Sequence, residues 1–233
     1  MQSTTDAKEE HPLLSMNSAP LSKIVPLAIA VFCGAKLGND PEFAIAARSL
    51  AEAIHVQGWT IVYGAGTVGL MGEVSRALVK LSGPESVHGF IPKALVTVER
   101  ARNPEMSDVK VREESYGSVT VVKDMHARKT QMAEAAGAFV ALPGGFGTME
   151  EIMEIITWNF LGIHDKPIVL FNVNGFFDDI MSWVRRAVKN GFVDSGNANI
   201  VVEASSAGEV IEAIKNYRVA SSRHALDWKS NQS

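Results

Sequence analysis

Short apolar runs alternate with segments of helical periodicity along most of the chain, and this alternation restricts the fold more than any other property of the sequence. The runs are Pro26 to Phe32, Thr60 to Tyr63, Val87 to Ile91, Ser118 to Val122, Ala138 to Leu142, Pro167 to Phe171 and Asn199 to Val202. Between them the apolar residues follow a helical period over Pro41 to Gln57, Leu70 to Leu81, Met125 to Ala136, Met149 to Phe160, Phe177 to Asn190 and Ala207 to Tyr217. A strand that is apolar throughout is buried on both faces, which in an alternating chain means a mostly parallel sheet with helices on each side. The expected fold is a doubly wound, Rossmann-like α/β domain with a sheet of about seven strands.

The 233 residues are 46% hydrophobic and 21% charged, the balance of a globular domain able to bury its own core. One domain is expected over residues 25–218, with flexible polar tails at 1–24 and 219–233. A formal net charge of -4 argues against nonspecific binding to nucleic acid or to an anionic membrane. No run approaches the roughly 18 apolar residues of a membrane span, and no apolar signal core is present, so the cytoplasm is the expected compartment. The single cysteine, Cys33, excludes an intramolecular disulfide; it ends an apolar run, where a small buried side chain is its simplest role.

Right-handed crossovers collect the strand-to-helix loops at the C-terminal edge of such a sheet, where these folds bind ligands. Three of the loops are rich in glycine: Cys33 to Gly38, Gly64 to Gly69, and Pro143 to Gly147. The third continues through Thr148, Met149, Glu150 and Glu151 into a helical segment. Its glycines let backbone N–H groups approach a ligand, Thr148 is placed to cap the helix and offer a hydroxyl, and the helix N-terminus favours a phosphate or carboxylate. Glu151 falls about one turn into the helix, positioned to face the same ligand. The alternative is a plain turn whose acidic residue compensates the helix dipole. The spacing matches neither G-x-x-x-x-G-K-[ST] nor G-x-G-x-x-G, which argues against a triphosphatase loop and a dinucleotide fingerprint. Gly64, Gly66 and Gly69 do match the dinucleotide spacing. The next strand, however, runs into Pro92 and Lys93 rather than an acidic ribose ligand, and a simple turn is the other reading.

Asp124, Met125, His126, Ala127, Arg128 and Lys129 open the helix after the fourth run, on the same edge. Arg128 and Lys129 stand where the helix dipole disfavours cations. Arg128 suits a two-pronged grip on phosphate or carboxylate and Lys129 adds a point charge; a structural pair of Arg128 with Asp124 or Glu151 is the alternative. His126 is an acid or base by type, with packing as its other role, and no histidine or cysteine at ligand spacing supports a metal site. Trp158, Phe160, Leu161 and Ile163 read as core or subunit interface, or as an apolar wall for a substrate group. Pro92 to Gly117 is charged and without periodicity, and is expected as a long irregular stretch.

Together these residues match a known pattern. Pro143 to Glu151 fits P-G-G-x-G-T-x-x-E, and Met125 with Arg128 and Lys129 fits its upstream partner. Val62 to Gly64, Val68 to Gly72, Ile91 to Lys93, Thr157 with Trp158, and Leu161 to Pro167 extend the match. From about Ile29 to Tyr217 the chain resembles the LOG ("lonely guy") family of cytokinin riboside 5'-monophosphate phosphoribohydrolases. The resemblance implies hydrolysis of the N-glycosidic bond of N6-substituted AMP to free base and ribose 5-phosphate, without metal or cofactor. It also implies a homodimer in which the helix at Glu150 to Phe160 lies close to the partner. Catalytic roles are implied for Arg128 and Glu151, and substrate contacts for Glu99, Met125, Lys129, Gly144, Gly145, Gly147, Thr148, Glu150 and Thr157.

Hydrolysis of ordinary AMP or another nucleoside monophosphate is a neighbouring reading, and a nucleotide-binding carrier without turnover is one of a different class. Some members of the family carry the label lysine decarboxylase, but a pyridoxal enzyme needs a Schiff-base lysine with an acidic partner for the ring nitrogen, and none is identifiable. The chain departs from the pattern at Ala35, where the family often has serine, and at Ala65, within a triplet usually richer in glycine. Both departures bear on the nucleotide's exact contacts.

Overall fold

The computed structural model describes residues 27–104, 109–224, 226 and 228. The N-terminal tail expected at 1–24 lies outside them. Its strands are β1 (Ala28–Phe32), β2 (Thr60–Tyr63), β3 (Val87–Pro92), β4 (Ser118–Val122), β5 (Ala138–Ala141), β6 (Ile168–Phe171) and β7 (Val202–Ala204). Its α-helices are α1 (Pro41–Val56), α2 (Gly69–Ser82), α3 (Lys93–Arg102), α4 (Val109–Tyr116), α5 (Met125–Ala135), α6 (Phe146–Phe160), α7 (Asp178–Lys189) and α8 (Ala207–Lys215). All strand pairs are parallel, in the order β4-β3-β2-β1-β5-β6-β7. This is the doubly wound α/β architecture expected from the alternation.

Successive strand residues point to opposite layers. In β1, Ile29 and Val31 join the core under α1, α2 and α8, while Ala30 and Phe32 join the core under α5, α6 and α7. The chain winds outward from β1 to β4, then returns to lay β5 on the other side of β1, with Phe32 paired to Ala141. The loops leaving β1 and β5 therefore diverge and open a crevice at the strand C-termini, the place where such sheets take ligands.

Four local features differ from expectation. The charged stretch after Pro92 holds two helices, α3 and α4, rather than irregular chain. α3 buries none of its residues, so it carries no apolar stripe of the kind that marks a helix in sequence. Helix α6 begins at Phe146, about one turn before Met149, because Gly145 takes the extended N-cap conformation (φ -100°, ψ -152°). Thr148 is consequently inside the first turn instead of capping it. Strand β7 starts at Val202; Ile200 and Val201 are buried but precede the ladder. Finally, the segment assigned to a tail from 219 lies against the body as far as it is described. Asn197 donates to the Ser222 carbonyl (3.0 Å), His224 N–H to that of Phe160 (2.9 Å), and the Trp228 indole to that of Leu161 (2.9 Å). Among the described residues no helix is long and apolar enough to cross a membrane.

Candidate functional site

Backbone hydrogen bonds join the three glycine loops. The Gly34 N–H donates to the Pro143 carbonyl (3.0 Å), and the Gly34 carbonyl accepts from the N–H groups of Leu70 (3.0 Å) and Met71 (3.3 Å). The N-terminus of α2 is thus occupied by the protein's own backbone, and the loop from Gly64 to Gly69 serves as a turn and a packing surface. The N-terminus of α6 is different. No side chain caps it, and a Cβ built on Gly145 or Gly147 would meet nothing within 4 Å. Gly144 is the position of close approach, since a Cβ there would lie 2.1 Å from the Thr148 hydroxyl and 3.0 Å from the Gly34 nitrogen. The unpaired N–H groups of a first helical turn therefore face open space, where an anion is favoured.

That space is a cleft of about 370 Å³. One side is made by Cys33, Gly145, Gly147, Thr148 and the pair Arg128 and Glu151; the other by Leu95, Val98, Glu99 and Arg102 of α3. Met71, Ile91 and Met125 complete it. Arg128 Nη2 donates to Glu151 Oε1 at 2.6 Å, with side chains only 11% and 8% exposed. Burial pushes the Glu151 carboxyl above its ordinary range, and the Arg128 guanidinium opposes that push. Arg128 Nε is buried without a partner. Burial, reinforced by the charge of Glu151, also raises Cys33 far above a normal thiol, so Cys33 stays protonated.

The remaining expected residues divide into two groups. Asp124 caps α5 by accepting the Ala127 N–H (2.8 Å), so Arg128 pairs with Glu151 and not with Asp124. Met125 and Glu99 line the cleft; Glu99 is held by the Thr67 N–H (3.3 Å) and by Arg102 (3.0 Å). Lys129, Glu150 and Thr157 do not line it. Lys129 is engaged by Glu150 and Glu154; burial lowers its pKa, but these hydrogen bonds outweigh that and leave it raised. The Thr157 hydroxyl donates to the Met153 carbonyl (2.8 Å) on exposed α6 surface. His126 is exposed and outside the cleft. Trp158 and Phe160 pack on the α5–α7 core, and Ile163 is exposed, so none of them forms the apolar wall.

Leu95, Val98 and Arg102 were hidden in the stretch read as irregular. Leu95, Val98, Glu99 and Arg102 nevertheless recur at helical spacing, a signal that the surrounding charges obscure. Gly64, expected only as part of a glycine loop, also abuts the pair of Arg128 and Glu151, because a Cβ there would lie 2.4 Å from Arg128 Nη2. Among the described residues no group of three or more His, Cys, Asp or Glu is arranged to hold a metal ion. The cleft can hold a phosphate at the α6 N-terminus and present a buried, arginine-braced carboxylate to the neighbouring part of the same ligand.

A family model described as "Possible lysine decarboxylase" matches residues 71–214. Over 205 residues the chain is 40% identical to the probable cytokinin riboside 5'-monophosphate phosphoribohydrolase LOGL3 of Oryza sativa subsp. japonica, covering 86% of this chain and 90% of that protein. Over 209 residues it is 39% identical to the cytokinin riboside 5'-monophosphate phosphoribohydrolase LOG1 of Arabidopsis thaliana, covering 88% and 91%. It is also 40% identical over 220 residues to a bifunctional cytokinin biosynthesis protein of Fusarium pseudograminearum, spanning 92% of this chain but 45% of that longer one. Among solved structures, the Moco carrier protein from Chlamydomonas reinhardtii superposes with a TM-score of 0.56 at 20% identity, covering 82% of this chain and 96% of that one. The molybdenum cofactor binding protein from Rippkaea orientalis gives 0.57 at 22% identity, covering 82% and 97%; both share the fold. Matched along most of its length by relatives at about 40% identity, the chain belongs to the LOG family of cytokinin riboside 5'-monophosphate phosphoribohydrolases.

Proposed function

We propose that this protein hydrolyses the N-glycosidic bond of cytokinin riboside 5'-monophosphates, releasing the free base and ribose 5-phosphate. The observation that carries the reading is the buried Arg128–Glu151 pair, at 2.6 Å, beside the uncapped N-terminus of α6 in one cleft. The 5'-phosphate rests on the N–H groups of the Gly145 to Thr148 turn, where the helix dipole favours an anion. The ribose then lies against Glu151. As the bond from the anomeric carbon to the base breaks, its electron pair leaves with the base and positive charge grows on the sugar ring. Glu151, braced by Arg128 through one oxygen, stabilises that charge and aligns a water. The water oxygen bonds to the anomeric carbon, and its proton is delivered to the departing base. Glu99 and Met125, further along the cleft, border the base.

A homodimer is part of the same reading, on the family resemblance. Glu150 and Thr157 lie on the outer surface of α6, so their contact with substrate would be made in a partner's cleft rather than their own. Purified protein given N6-isopentenyladenosine monophosphate is expected to release free base and ribose 5-phosphate in equal amounts. Glu151→Gln is expected to lower kcat by roughly 10²- to 10⁴-fold. No ribose 5-phosphate, or full turnover by Glu151→Gln, overturns the reading.

A further inference from the structure

Four charged side chains line the cleft, and they stand as two pairs: Arg128 with Glu151 on the α6 side and Arg102 with Glu99 on α3. The reaction proposed above uses the first pair fully and takes only a contact with the base from Glu99. Arg102 has no part in it. Arg102 Nη1 donates to Glu99 Oε1 at 3.0 Å, and Glu99 Oε2 accepts the Thr67 N–H at 3.3 Å. The carboxylate is thus tied to the loop after β2 and is 13% exposed, whereas the arginine stays 47% exposed at the cleft wall. An exposed ion pair three residues apart on a helix is worth little by itself. Here one partner is fixed from outside the helix, so the pair sets a guanidinium in place beside the cleft. Only one of its five N–H donors is engaged among the described residues.

A donor set beside an acceptor is the complement of one edge of a 6-aminopurine, which presents the N6–H donor next to the N7 acceptor. An N6 with a single substituent keeps one hydrogen, and with the substituent on the N1 side that hydrogen lies beside N7. A base that follows ribose to the Glu99 end of the cleft then meets Glu99 with N6–H and Arg102 with N7. N7 is also where charge arrives. As the bond from the anomeric carbon to N9 breaks, its electron pair passes into the five-membered ring and N7 gains negative charge. We propose that, in the reaction proposed above, Arg102 is a catalytic residue that donates to N7 and stabilises the departing base. A fixed donor aimed at developing charge acts mainly on the transition state. An arginine keeps its own proton, so the proton that the base gains comes from the water whose oxygen bonds to the anomeric carbon. The two pairs thus meet the two halves of the breaking bond with opposite signs: Glu151 faces the positive sugar and Arg102 the negative base.

The test measures kcat and KM for the wild type, Arg102→Lys and Arg102→Met. The substrates are N6-isopentenyladenosine monophosphate and its 2-fluoro derivative, whose electron-poor purine departs more readily without help. Arg102 is half-exposed on a helix that buries none of its residues, so both variants are expected to keep the wild-type circular dichroism. Arg102→Met is expected to lower kcat on the plain base by about 10- to 100-fold, less than the loss for a fully buried donor, with a smaller change in KM. On the 2-fluoro base the same variant is expected to lose only about threefold, because a better leaving group asks less of the donor. Arg102→Lys, which keeps the charge, is expected to fall between Arg102→Met and the wild type. A full rate in Arg102→Met, or an equal loss on both bases, overturns the role of Arg102 and leaves the reaction standing. A wild type that hydrolyses neither substrate overturns the reaction and that role with it.

Discussion

At Gly64 a methyl group would sit 2.4 Å from Arg128 Nη2 and 3.2 Å from the Met71 sulfur. Both neighbours are ends of flexible side chains, so an added Cβ displaces them without breaking the backbone. The displaced guanidinium, however, is the one that donates to Glu151, and both partners are buried. Gly64→Ala is therefore expected to keep a melting temperature close to that of the wild type while lowering kcat by about 10²-fold, the order associated with a 1 Å misplacement at a reacting centre. Thermal melts and steady-state kinetics on one preparation check this; an unaltered kcat shows that the Arg128 position is not critical. Beside it, Ala65 holds a positive φ of 61°, which costs a non-glycine residue about 1–2 kcal/mol, and Arg112 fixes its carbonyl. Glu151 and Thr148 could be read from sequence because they adjoin the glycines of their own loop. The contact of Gly64 with Arg128 could not, since that partner comes from α5 and nothing in the local pattern records a contact between distant segments.

At the scale of elements, the join between α6 and β6 is controlled by His164. Its Nε2 hydrogen donates to the Ile155 carbonyl (2.9 Å), its Nδ1 accepts the Lys166 N–H (3.1 Å), and the ring packs on Phe139. Both nitrogens are satisfied only in the neutral ring. Burial is the main cause that lowers its pKa from 6.5 to about 4, partly opposed by the Ile155 hydrogen bond. Because the folded value lies below the unfolded one, the unfolded chain binds more protons between them. Stability from neutral His164 is thus full above about 6.5 and is lost as pH falls toward 4. The loss is roughly 1–3 kcal/mol after allowance for the ring's partial exposure. Urea titrations at pH 7 and pH 5 are expected to show this drop in the wild type and a smaller one in His164→Gln; equal drops would assign the effect to other groups. The strands and the long helices around this join could be read in sequence because each buries a continuous run or a stripe. α3 could not, because it covers the cleft without entering the core; of its cleft residues only Glu99 is expected, from the family resemblance, while Leu95, Val98 and Arg102 are not.

At the scale of the whole molecule, one helix gathers incompletely covered apolar residues: α6 leaves Met149, Met153, Ile156, Trp158 and Phe160 only partly buried. Phe146, at the first turn of the same helix, is 97% exposed, and Ile163, just past its end, is exposed as well. Apolar side chains gathered along one helix mark a surface suited to association, and a twofold axis would set the same patch of two chains against each other. Lys129 with Glu150 and Glu154 would supply a charged margin to that contact. A stable interface of this kind buries about 800 Å² per chain. Sedimentation at micromolar concentration is accordingly expected to give twice the mass of one chain. Ile156→Glu, which places a charge on the patch, is expected to give a monomer with unchanged circular dichroism. If Glu150 and Thr157 act in the partner's cleft, that monomer loses most of its turnover although Arg128 and Glu151 are intact. A wild-type monomer removes the dimer, while a fully active Ile156→Glu monomer removes only the contact across it, because each cleft would then be complete within its own chain.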